Sequence, residues 1–158
     1  MGGYPITMGL AKNDNFGGKG SCHMGPVPCN TDQEQDCRSS RAVYRAECIR
    51  CLEEDKEKPG VYIGTTGRSI HSRTIEHMKS ATNRHSNNPQ GRHHWTEHPT
   101  KTPSYRTRIL RSSFKYNVDR FISEALNIEK ARDETTITLL NQRAEWGNHG
   151  LVRLRVDN

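Results

Sequence analysis

Apolar residues are scarce in this chain. Hydrophobic types account for 31% of its 158 residues and mean hydropathy is -0.95, so burial alone would give a thin core. A further stabiliser, such as a bound metal, is therefore expected. No run approaches the roughly 18 apolar residues of a membrane span, and the N-terminus MGGYPITMGLAKND lacks the apolar stretch of a signal peptide. The expectation is a soluble, intracellular protein. Five cysteines are an odd count, and Cys48 and Cys51 stand as a CxxC in a histidine-rich chain, which favours metal ligation over a disulfide framework. Residues 1–40 have almost no hydrophobic period and read as a Gly/Pro/Cys-containing linker. Cys22, Cys29 and Cys37 in that stretch leave a second metal knuckle open, with no obvious fourth ligand. The length suits one domain, taken as 41–148 and followed by a tail over 149–158.

Basic charge, by contrast, is plentiful. The formal net charge is +6, and between Arg68 and Lys115 ten Lys or Arg face two acids, Glu76 and Glu97, for a local +8 with six of the eight histidines. Clustered cations release counterions from a phosphate backbone, so nucleic acid is the natural ligand. A merely solvated basic face is the plainer reading.

The periodicity changes at Ala42. AVYRAECI alternates as a strand, LEEDKEKPG reads as a charged loop, and VYIGTT is a second strand, antiparallel to the first. Ser69 is suited to cap a helix through Ala81, which sets Arg73 and His77 on one face. HHWTEHP suggests a short helical turn, and SYRTRILRS a third strand. Asn117 is placed to cap an amphipathic helix whose apolar stripe is Val118, Phe121, Ile122, Ala125 and Ile128, with Glu124 at its edge. The remainder carries a small apolar cluster at Leu139, Leu140 and Trp146, then an alternating tail. The expected fold is α/β, a small three-stranded antiparallel sheet flanked by helices.

Phosphodiester cleavage requires an activated water, a cation beside the phosphate and a metal to bear developing charge. Tyr44, Tyr62, Arg73, His77 and Glu124 could supply these, although tyrosines in strands are more often simply packed. Their order and intervals, with Gly64 after Tyr62 and Asn141 after Glu124, resemble the GIY-YIG nuclease family. VYRAECIRC, VYIGTTGRSIHSRTIEH, HHWTEHP, FISEALNIEK and LLNQRAEW are similar to the endonuclease domain of Penelope-like retroelements, over about two-thirds of the chain. Ala42-Val43-Tyr44 stands where that family has Gly-Ile-Tyr.

The resemblance implies a DNA endonuclease in which Tyr44 helps deprotonate water and Tyr62 orients the water or the phosphate. Arg73 would neutralise the phosphate, His77 would assist proton transfer or contact a phosphate oxygen, and Glu124 would bind one Mg²⁺ or Mn²⁺. Arg68 and Gly64 would lie against DNA, the glycine allowing close backbone approach. Asn141 would either contact DNA or tie the last loop to the core. It also implies nuclear localisation and a reverse transcriptase domain as partner in the parent element. Cys48-x2-Cys51 with His94-x3-His98 has the spacing of a structural Zn²⁺ site, and the resemblance offers the same reading; the adjacent His93 could replace His94. The rival to an enzyme is an inactive, zinc-stabilised nucleic-acid-binding module.

Overall fold

The computed structural model describes residues 37–141. Three strands form where the sequence leads one to expect them: β1 (Ala42–Cys48), β2 (Gly60–Thr66) and β3 (Tyr105–Arg111). Four helices intervene: α1 (Ile49–Glu53), α2 (Ile70–Thr82), α3 (Pro89–Glu97) and α4 (Asn117–Asp133). β1 is central and pairs antiparallel with both β2 and β3, in a register that sets Tyr44 opposite Gly64 and Ala46 opposite Tyr62.

The sheet is not the three-stranded antiparallel one expected. A fourth strand, β4 (Thr138–Leu139), runs parallel to β2, giving the mixed order β3-β1-β2-β4. Two residues are too few to show a period, and their partner lies far back in the sequence. Other corrections are local. Part of the charged loop after β1 closes into the five-residue α1. α3 starts as early as Pro89, capped by Asn88. Tyr116, rather than Asn117, is the cap position of α4. The buried face of α4 is carried by Arg120, Ile128 and Ala131, while Val118 and Ile122 of the expected stripe are exposed.

The sheet's alternation divides the core in two. Val43, Val61 and Ile63 pack against Phe114, Ile128 and Ala131 on the α4 side. Tyr44, Ala46, Cys48 and Tyr62 point to the other face with Cys51, Ile70 and Tyr105. Ser69 caps α2 as expected, its hydroxyl accepting from Ser72 N at 3.2 Å. Trp95 Nε1 donates to Ala81 O at 2.9 Å and ties α3 to α2. Tyr44, Tyr62, Cys48 and Cys51 therefore gather on one face of the sheet, the face opposite α4. No helix among the described residues is long and apolar enough to cross a membrane. Cys22, Cys29, Trp146 and the tail lie outside the described residues.

Candidate functional site

Two groups of side chains occupy that face. The first is built on Tyr44. Register places its phenol over Gly64, where a Cβ would sit only 2.6 Å from Tyr44 Oη and 2.6 Å from a Tyr62 ring carbon. The glycine thus makes room for both tyrosines, and the space expected to admit substrate is filled by Tyr44. From α2, one turn apart, come Arg73 and His77. Tyr44 Oη lies 2.6 Å from His77 Nε2, and Arg73 Nε donates to it at 3.4 Å. The Tyr62 ring centroid is 5.4 Å from His77 and 6.4 Å from Tyr44. Four of the expected residues therefore converge. Glu124, half-buried on α4, acts on the same phenol through its charge.

Beside this group opens a cleft of about 470 Å³ lined by Tyr62, Arg73, Glu76, His77 and the polar α2–α3 loop. Glu76, which the sequence reading did not single out, is the counter-ion of two arginines: Arg68 Nη2 donates to it at 2.7 Å and Arg73 Nη1 at 3.3 Å. Arg68 is exposed beside it. Asn141 is committed elsewhere. Its Nδ2 donates to Ile63 O at 2.7 Å and its Oδ1 accepts from Ile63 N at 2.8 Å, prolonging the β4 contact with β2. The amide thus ties the segment after β4 to β2.

Electrostatics at this centre follow from burial. Burial, against the opposing charge of Arg73, pushes the Tyr44 phenol up to about 12, so it is neutral at physiological pH. Burial and then the Arg73 charge push His77 down from 6.5 to about 4. The unfolded chain therefore takes up a proton near pH 6.5 that the folded chain takes up only near 4. His77's contribution is complete above pH 6.5 and is lost as pH falls toward 4, to a total of about 3 kcal/mol. Denaturant melts between pH 7.5 and 4.5 should show a shallower acid loss in His77→Gln than in wild type; parallel slopes would contradict this.

The second group is a cluster of metal-ligand types. One donor atom from each of Cys48, Cys51, His93 and His98 lies within 4.8 Å of all the others, and Cys51 Sγ is 3.2 Å from both His93 Nε2 and His98 Nε2. Zinc bonds of about 2.3 Å to sulfur and about 2.0 Å to nitrogen call for donors roughly 3.5 Å apart, so this donor set fits a tetrahedral ion. The histidine is His93, not His94. The x3 spacing presumes that both ligands lie on one helix, but α3 ends at Glu97 and His98 leaves helical geometry at φ -136, ψ 48. His94 is instead fully buried, its ring centroid 4.9 Å from Trp95. Gly60 makes way for the ligand: a Cβ there would meet His93 Nε2 at 2.6 Å. Cys37, although buried, stands outside this group, and its carbonyl accepts from His71 N at 2.9 Å.

Glu54, also unread in the sequence, contacts His98 Nδ1 at 3.1 Å and Lys101 Nζ at 2.8 Å. Lys101 holds its carboxyl below the usual carboxylate range, so it accepts the Nδ1 proton and leaves Nε2 free to ligate. Glu54→Ala should weaken zinc binding by about 10- to 100-fold in chelator competition, and unchanged affinity would contradict the role.

Comparison with protein-family models, with curated proteins and with solved structures finds no match for this chain.

Proposed function

We propose that the chain is a metal-dependent DNA endonuclease of the GIY-YIG type, with the cysteine–histidine cluster as its structural zinc site. The observation that carries this reading is the convergence of Tyr62, Arg73 and His77 at the wall of one polar cleft, with Tyr44 buried behind them in contact with His77 and Arg73 and the charge of Glu124 acting on its phenol. Four residues drawn from two strands and a helix meet in the order the nuclease resemblance requires. The local excess of Lys and Arg supports DNA as ligand.

In this reading Arg73 carries the positive charge that meets the scissile phosphate, exchanging its Glu76 partner for it. Tyr62, on the cleft wall, orients the attacking water or the phosphate. Tyr44, buried behind that wall with its oxygen held by His77 and Arg73, would help deprotonate the water only once its own proton has left. A divalent cation such as Mg²⁺ or Mn²⁺ at Glu124 would supply stabilisation of the developing oxyanion, and a single carboxylate suits Mg²⁺, which keeps most of its waters. Cutting of target DNA to expose a primer end for retroelement integration is the biological role the resemblance suggests.

The test is nicking of supercoiled plasmid by the zinc-loaded protein, with Mg²⁺ or Mn²⁺ and with EDTA. Metal-dependent nicking that Tyr44→Phe lowers is expected. DNA binding by folded protein with no nicking in either metal would favour the zinc-stabilised binding module instead.

A further inference from the structure

Asn88 joins the end of the α2–α3 loop to the Tyr44 centre, and its hydrogen bonds carry information about where a proton sits. It is the N-cap of α3: its Oδ1 accepts from Gln90 N at 2.9 Å. Its own backbone N donates to Ser86 Oγ at 3.1 Å, and Ser86 Oγ in turn lies 2.8 Å from Ser80 Oγ on α2. The residue is therefore fixed from both ends. A side-chain amide has one accepting end and one donating end. With the oxygen committed to Gln90, the NH₂ end is the one that faces His77 Nδ1 at 3.3 Å.

His77 is largely buried, and a neutral imidazole carries a single N–H. If Nδ1 accepts from Asn88, that proton is on Nε2, the nitrogen 2.6 Å from Tyr44 Oη. Arg73 Nε donates to the same oxygen at 3.4 Å. A phenol oxygen has two lone pairs. Both are then taken, so the phenolic proton is turned away from His77 and left for a group outside this trio.

We infer that Asn88 is a positioning residue that fixes His77 as the Nε2–H tautomer, so that His77 donates to Tyr44 and does not accept its proton. This departs from a role for His77 as a proton acceptor. Two donors on the oxygen instead stabilise the phenolate form of Tyr44, and the cap of a helix sets the polarity of the site. The functional half of this inference rests on the endonuclease reading; the tautomer itself does not.

The experiment separates the two. Imidazole ¹⁵N NMR on ¹⁵N-histidine-labelled, zinc-loaded protein, with His77→Gln for assignment, reads which nitrogen of His77 carries the proton. Asn88→Asp keeps an equally good N-cap but replaces the donating NH₂ by a carboxylate oxygen that accepts. Wild type is expected to show Nε2–H and Asn88→Asp to show Nδ1–H, with melting temperature little changed. Nicking at saturating plasmid should then slow by about 100-fold, the scale of one misdirected acid–base group. Nδ1–H in wild type, or an unchanged tautomer in Asn88→Asp, would overturn the inference, and the wild-type spectrum decides even if the variant fails to fold. A tautomer switch with undiminished nicking would overturn the positioning role. The expected spectra from a wild type that nicks no plasmid would uphold the tautomer and sink the endonuclease reading.

Discussion

A zinc ion held by the cysteine–histidine cluster would be structural, and stripping it is expected to unfold the protein. The cluster lies inside the core on the α2–α3 face, where Cys48 and Cys51 are buried among Tyr44, Ala46 and Tyr105. It joins two stretches of chain, the passage from β1 into α1 and the C-terminal half of α3 with the residue that ends it. Without a cation, burial and the neighbouring Cys51 push the Cys48 thiol up to about 12, so Cys48 would sit in the core as an unligated thiol. Structural zinc contributes about 10–16 kcal/mol in isolated zinc-finger peptides, which matches or exceeds the roughly 5–15 kcal/mol stability of a whole domain. Chelator treatment followed by far-UV circular dichroism should therefore show loss of the cooperative melt, restored by added Zn²⁺. Cys51→Ser should mimic the chelator most closely, because Cys51 Sγ touches both histidine nitrogens. An unchanged melting curve in excess chelator would contradict the structural role.

Replacing Arg73 is the second large effect expected. Its guanidinium reaches Tyr44 Oη and Glu76, and it lines the cleft, so it is poised between the phenol and the space a phosphate would enter. Loss of one preorganised charge of this kind costs about 10²- to 10³-fold in rate. Arg73→Ala should lower the nicking rate by that factor at saturating DNA, while the many other cations between Arg68 and Lys115 keep binding within a few-fold. Arg73→Lys should recover little, since an ammonium cannot span the phenol and a phosphate together. Equal losses in binding and rate would instead mark Arg73 as one more cation of the basic surface.

Which parts of this architecture are legible from sequence depends on how local their causes are. β1 and β3 follow from alternation, β2 from its short run of β-favouring residues, and α2 from the Ser69 cap and its helical spacing. The order of Tyr44, Tyr62, Arg73 and His77 is equally visible. β4 is not, since two residues pairing across the sequence leave no period to read. The choice of His93 over His94 depends on where α3 ends, because helix termination, not ligand spacing, decides which ring reaches the cysteines. Gly60 and Gly64 look like strand glycines until the packing shows the His93 and Tyr44 rings occupying their side-chain space. Asn88 could have been found: Asn followed by Pro89 is the pattern of an N-cap before a first helical residue. Glu54 and Glu76 carry no such mark, because their roles exist only once a distant histidine or two arginines have been brought alongside.

Whether these residues form one metal-dependent cleavage centre is decided by Glu124→Ala. Supercoiled plasmid would be incubated with zinc-loaded wild type and variant in Mg²⁺ and in Mn²⁺, with DNA binding and melting temperature measured on the same samples. Metal-dependent nicking by wild type, abolished in the variant with binding and fold retained, is the expected result. Nicking by Glu124→Ala at the wild-type rate would contradict it.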